Sequence, residues 1–198
     1  MIAYGHATII VDGRKTTLIP SLKNIEKIGT PKEIVDVFKF LSVGINDKLS
    51  FVKSMRVLGC CVEKEETSLD DIFGGLATSY HGDRVVYTQG MQAPETARVI
   101  AMHMLRHGIC GVCKETDKSD AKPIEEFKAV DYITMARRLF DISLEEAKNL
   151  TMTEILIMAE QINKESRRNG KAPPDKKEHK ETMSWLERVN AKRKANNG

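Results

Sequence analysis

Long apolar runs are missing from this chain of 198 residues. No stretch approaches the roughly 18 to 20 continuous apolar residues that cross a bilayer, so no membrane span is expected. The opening Met1-Ile2-Ala3-Tyr4-Gly5-His6 lacks the basic start and apolar block of a signal peptide, and a cytosolic location is expected. Aromatic residues are scarce, at 6% with a single Trp, which argues against stacked-base recognition as the main task. The four cysteines, adjacent at Cys60 and Cys61 and spaced C-x-x-C at Cys110 and Cys113, would stay reduced in the cytosol. They read as free thiols or metal ligands rather than a disulfide frame. Phosphate-cradling glycine loops, a nucleophile elbow and a paired-His protease helix are absent from the sequence, so an enzyme is not expected.

What is present is enough for a core: 41% apolar and 30% charged positions exclude wholesale disorder. The formal charge of +3 is unevenly spread. From Lys164 onward eleven Lys and Arg face five acids, a net of +6, which leaves −3 for the preceding body. Such a tail suits an arm reaching an acidic partner surface or, equally, a solvated appendage.

Periodicity predicts a mainly α, α-rich α+β chain with a small N-terminal β-hairpin, a helical body and C-terminal helices. Ala7 to Val11 and Arg14 to Ile19 are β-branched stretches joined by Asp12-Gly13, a pair suited to the positive backbone angles of a two-residue hairpin turn. Pro20 ends the hairpin, Ser21 can cap a short helix to about Ile28, and Thr30-Pro31-Lys32-Glu33 is a capping box with a first-turn proline. Apolar stripes follow at Ile34, Val35, Phe38 and Leu41, then at Phe51, Val52, Met55, Leu58 and Val62. Glu63 to Asp71 reads as an acidic loop leading into a helical turn or two that Gly74-Gly75 closes, and Arg84 to Tyr87 as a short strand. A helix starting near Pro94 carries Ala97, Ile100, Ala101, Met104 and Leu105 and should stop at Gly108. Beyond a polar linker from Lys114 to Lys122, capping boxes at Ser143 to Glu146 and Thr151 to Glu154 predict two short helices meeting at a corner. The expected organisation is hairpin and helical body over 1–113, a second helical unit over 125–163, and a basic tail with a C-terminal helix over 164–198.

The one cluster with metal-ligand chemistry is His103-x-x-x-His107-x-x-Cys110-x-x-Cys113. Four donors in eleven residues could close a zinc tetrahedron, although common fingers separate their ligand pairs by a dozen or so residues. The competing reading makes the cysteines small apolar packers and places His107 in a last helical turn, where a cation suits the helix dipole. Redox work by the C-x-x-C is disfavoured because its helix precedes the motif and cannot lower the first thiol's pKa. The acids from Glu63 to Asp71 lack the alternation and central glycine of a Ca²⁺ loop.

Two stretches carry a resemblance. The first is Tyr4-Gly5-His6-Ala7-Thr8-Ile9-Ile10-Val11-Asp12-Gly13-Arg14-Lys15, with Leu18-Ile19-Pro20-Ser21 and Ile25-Glu26-Lys27-Ile28-Gly29. It resembles the opening of tail assembly chaperones of long-tailed (siphovirus-type) bacteriophages. The second runs from Phe127-Lys128-Ala129 through Asp131-Tyr132-Ile133, Ala136-Arg137, Phe140 and Ser143 to Leu150-Thr151-Met152-Thr153-Glu154. It resembles the C-terminal half of an uncharacterised phage family encoded in the tail-gene region. The resemblance implies a small, chiefly helical, non-enzymatic accessory protein that binds the tape-measure protein and tail-tube subunits in the cytoplasm of the infected host and is absent from the mature virion. It implies no cofactor; zinc stays open through the Cys/His cluster.

A chaperone of this kind needs exposed apolar helix faces. Met152, Ile155, Leu156 and Met158 put apolar residues on more than one side of a helix, to be covered by a client or by the chain itself. Trp185, Leu186 and Val189 form an apolar edge on the basic helix and are the second candidate contact. Self-association is a further use for such faces. The alternative function is a zinc-stabilised or nucleic-acid-binding phage regulatory protein, with nucleic acid disfavoured by the glutamates interleaved in the basic tail.

Overall fold

A computed structural model describes residues 4–45, 47–78, 85–112 and 125–168, with side chains described as far as 165. The fold is α-rich α+β with an N-terminal hairpin, as the periodicity predicts. Strands β1 (Ala7–Val11) and β2 (Arg14–Leu18) pair antiparallel with Val11 opposite Arg14. Asp12 and Gly13 both take positive φ, at 49° and 77°, which is the twist a two-residue hairpin turn requires.

A third strand, β3 (Val62–Glu65), forms where the sequence predicts the end of a helical stripe at Val62 and the start of an acidic loop at Glu63. It pairs with β2 to give the order β1-β2-β3. The register shifts between Thr17 and Leu18, and the Thr16 hydroxyl donates to the Thr67 carbonyl at 2.8 Å, holding the far end of the sheet. Alternation alone would not reveal a strand whose outward positions are all charged.

The helices follow their caps. Helix α1 (Leu22–Glu26) is short, and Leu22 and Ile25 on it are fully buried. Helix α2 (Pro31–Ser42) starts on the complete Thr30–Glu33 capping box, and α3 (Lys48–Cys61) on Asp47, whose carboxylate accepts the Ser50 N–H at 2.7 Å. Ser68 caps α4 (Leu69–Phe73). A separate two-stranded ribbon follows, β4 (Gly75–Thr78) with β5 (Val85–Thr88). Helix α5 (Pro94–Leu105) packs along α3. Instead of stopping at Gly108 it continues as a π-helical turn over Arg106–Cys110, closed by the Gly111 N–H donating to the Arg106 carbonyl at 2.9 Å. The helix passes through Gly108 because the missing side chain is used for packing: a Cβ there would meet Ile25 at 2.5 Å and the Pro20 carbonyl at 3.1 Å.

Phe127 leads into α6 (Ala129–Phe140). Its N–H donates to the Pro31 carbonyl at 2.9 Å and its ring stacks on Tyr132 at 5.1 Å. The boxes at Ser143 and Thr151 are both formed, opening α7 (Leu144–Asn149) and α8 (Met152–Arg168). Helices α6 and α7 pack on α1, and the Leu22 N–H donates to the Leu150 carbonyl at 2.9 Å. The residues over 125–158 therefore belong with the N-terminal body. The contacts divide the chain into units 1–158 and 159–198, not within the polar linker after Lys114.

Leu18, Leu22, Ile25, Leu58, Phe73, Met104 and Leu105 lie at the centre of the first unit's core with no exposed surface. Removing each from water contributes about 1.5–3 kcal/mol before conformational entropy is counted. Among the described residues no helix is long and apolar enough to cross a membrane.

Candidate functional sites at the two ends of helix α5

His103 lies in the last turn of α5 and His107 in the π-helical turn that follows; their rings tilt together with centroids 4.3 Å apart. Three segments close around them. Gly5, at φ +88°, lies so near His107 that any side chain there would strike the imidazole. His107 Nδ1 and Thr153 Oγ1 share a hydrogen bond of 2.8 Å, and the Val112 N–H donates to the same hydroxyl at 3.1 Å. The Thr151 hydroxyl donates to the Tyr4 carbonyl at 3.1 Å, and His6 Nε2 stands 3.9 Å from the Glu154 carboxylate.

Burial pushes the His103 pKa below the usual histidine value, against a rise from its bond to the Gly5 backbone and with a smaller lowering by Arg106. Burial also lowers His107, helped by the neighbouring His103 and Arg106 charges. Both are therefore neutral at neutral pH. Neutral imidazoles suit a metal, but no three His, Cys, Asp or Glu side chains converge among the described residues. Cys110 faces solvent on one side, and the burial of the rest of its thiol pushes the pKa up, away from the thiolate a metal needs. Cys113 lies outside the described residues. The geometry here is that of a packed junction, in which His107 bridges two parts of the chain. Cys61, buried at the end of α3, is pushed up to about 12 by desolvation and behaves as a small core residue.

The α8 residues expected to meet a client divide. Met152 and Ile155 are buried within the chain, so they are core and not docking surface, a correction to that part of the expected contact. Leu156 is half-buried and lies where a Gly111 side chain would otherwise go, and Met158 is half-buried. The broad apolar face of this helix start arises because it fills the body on more than one side. Trp185, Leu186 and Val189 lie outside the described residues.

The opposite end of α5 is different. Pro94, Glu95 and Arg98 in its first turns form one wall of a cleft of about 400 Å³, with the start of α3 and the β4–β5 ribbon as the others. Phe51 and Tyr87 meet edge to face at 5.5 Å, and the Tyr87 hydroxyl donates to the Phe73 carbonyl at 2.6 Å, which fixes the ribbon to the body. Leu49 and Val52 on α3, Val85 and Val86 on β5, and Val99 on α5 are between 47% and 58% exposed. Sequence reasoning passed over this region because the weak pattern around Tyr87 hides its contact with Phe51. No local pattern marks it either: Val52 falls in the predicted core stripe of its helix, yet it is about half exposed.

Residues 39–183 match the model of a family of unknown function (DUF6246), well over half of the chain, and the chain belongs to that family. No curated protein and no solved structure matches it.

Proposed function

We propose that this member of the family is a tail assembly chaperone of a long-tailed bacteriophage, binding the tape-measure protein and tail-tube subunits in the host cytoplasm while the tail is built, without an enzymatic step. The support from sequence is the order of residues over Tyr4 to Gly29 and Phe127 to Glu154 that resembles such proteins. The structural observation that supports the reading is that α3, β5 and α5, which wall an open apolar cleft, also carry half-exposed aliphatic residues elsewhere on their surfaces. Apolar side chains displayed on several elements suit a protein that must hold a long, aggregation-prone client by many weak contacts. In this reading the basic residues from Lys164 onward orient the client electrostatically, and Trp185, Leu186 and Val189 add a second contact.

The test is co-expression with the tape-measure protein encoded in the same phage genome. The expected result is a complex that survives affinity purification and keeps the client soluble. A purified chain that ignores the tape-measure protein and instead retains DNA, with a steep loss of binding as salt rises, would support the regulatory alternative.

A further inference from the structure

A depression of about 440 Å³, separate from the cleft beside Phe51, is lined by residues at the start of α1, on β3 and α7, and in the first turn of α8. Ser21 is among them. It occupies the N-cap position of α1, where a serine hydroxyl ordinarily accepts a backbone N–H, yet its side chain makes no such bond. It is 1% exposed, and its Oγ has no hydrogen-bond partner among the described residues. A buried hydroxyl that neither caps nor pairs calls for a partner from outside the chain.

The polar groups beside Ser21 are nearly all acceptors. Glu63, Glu146 and Glu154 bring three carboxylates to the lining against the one ammonium of Lys23. Glu146 Oε2 and Glu154 Oε2 accept the Ser143 and Thr151 N–H groups at 2.9 and 2.7 Å, so capping fixes both side chains and leaves Oε1 of each for another donor. The bonds to Ser143 also hold the Glu146 carboxyl below the usual carboxylate range, which keeps it charged. Asn149 donates its amide to the Glu145 carbonyl at 2.8 Å, which leaves its oxygen to accept. His6 Nε2, 3.9 Å from Glu154 Oε1, is a further buried atom with no hydrogen bond among the described residues.

We propose that this depression binds a guanidinium group, whose N–H donors meet Ser21 Oγ and the open oxygens of Glu146 and Glu154 while Ile19 and Leu150 cover its aliphatic stem. An excess of two negative charges repels a phosphate or carboxylate and attracts a cation. A divalent metal does not suit the set, because among the described residues no three His, Cys, Asp or Glu side chains converge to hold one. Guanidinium is selected over ammonium by the spread of the acceptors. They come from α1, β3, α7 and α8, and five donors in a rigid fan reach more of them than the three on a compact ammonium. Lys23 already brings an ammonium to this lining, and Ser21 Oγ still has no partner there. The inference goes beyond the client-binding reading and does not depend on it. A guanidinium can arrive on a free small molecule or on an arginine side chain of a polypeptide, and the experiment separates the two.

The full, isotope-labelled chain is titrated with methylguanidinium chloride and, at matched ionic strength, with methylammonium chloride, while NMR follows the amide signals of Ser21, Asn149 and Glu154. Methylguanidinium should shift these signals along one saturable curve, and methylammonium should not. Ser21→Ala, with thermal unfolding unchanged because the hydroxyl caps nothing, should weaken the binding by about fivefold. Glu63→Gln should weaken it by about threefold, Lys23→Ala should strengthen it by about twofold, and Asp131→Asn on α6, outside the site, should leave it unaltered. The same titration with L-arginine and with N-acetyl-L-arginine N-methylamide identifies the source: tighter binding of the free amino acid assigns a small molecule, and tighter binding of the blocked form assigns an arginine within a polypeptide. Equal response to methylammonium, no saturable response to any of the guanidinium compounds, or wild-type binding in both Ser21→Ala and Glu63→Gln overturns the proposal and leaves the chaperone reading untouched.

Discussion

Helix α5 begins beside an open cleft and ends in a closed junction, and the same helix shows what separates the two. At its C-terminal end Gly5, Gly108 and Gly111 let the N-terminal strand, α1 and the start of α8 approach so closely that a Cβ at any of the three would collide. At its N-terminal end Pro94, Glu95 and Arg98 stand back from Phe51 and Tyr87, and aliphatic residues on the surrounding elements remain in water. Where the chain has placed its smallest residues it has spent its surface on itself. Where large apolar and charged residues stand around a void, their surface stays in contact with water.

The contrast can be broken most forcefully at Gly108. Gly108→Val should destabilise the fold by about 3 kcal/mol, because Ile25 and the Pro20 backbone have nowhere to go; urea unfolding measures it. Thr153→Val removes the partner of both His107 Nδ1 and the Val112 N–H, and a loss of about 2 kcal/mol is expected in the same assay.

Acidification probes the junction more gently. The unfolded chain protonates its histidines near the ordinary value of about 6.5, whereas burial holds His103 and His107 lower in the fold. Stability is therefore complete above pH 6.5 and falls as the pH drops through the lowered folded values. The urea midpoint should be lower at pH 5.5 than at pH 7.5, and His103→Asn should flatten that dependence; a midpoint that rises on acidification would contradict a desolvated histidine pair.

Cys110→Ser should cost about 1 kcal/mol or less, and one equivalent of zinc should leave the melting temperature where it was. The smallest effect belongs to the cleft. Ser50→Ala deletes a hydroxyl with no hydrogen-bond partner among the described residues, so stability should stay within about 0.5 kcal/mol, unlike Thr153→Val, where the hydroxyl has partners.

Much of the local structure was legible. The Asp12-Gly13 turn, the Thr30, Ser143 and Thr151 boxes and the stripe of α2 each depend on residues within a few positions of one another, and each is formed. The helix end at Gly108 was misread because glycine signals a stop only when its backbone freedom is used; here its lack of a side chain is used instead. Strand β3 was missed because its partner β2 is nearly fifty residues away and its own residues Glu63, Lys64 and Glu65 carry no apolar alternation.

The sequence by itself determined the fold class, the caps and the hairpin register, since backbone angles and side-chain periodicity act over short distances along the chain. Only the tertiary structure decided which apolar residues are spare. Met152 and Ile155 looked like a surplus and are consumed by the core, while Val52, placed in a core stripe, lies half in water on the same helix as the cleft residue Phe51. Burial depends on what the rest of the chain places opposite a residue, and no pattern local to that residue contains it.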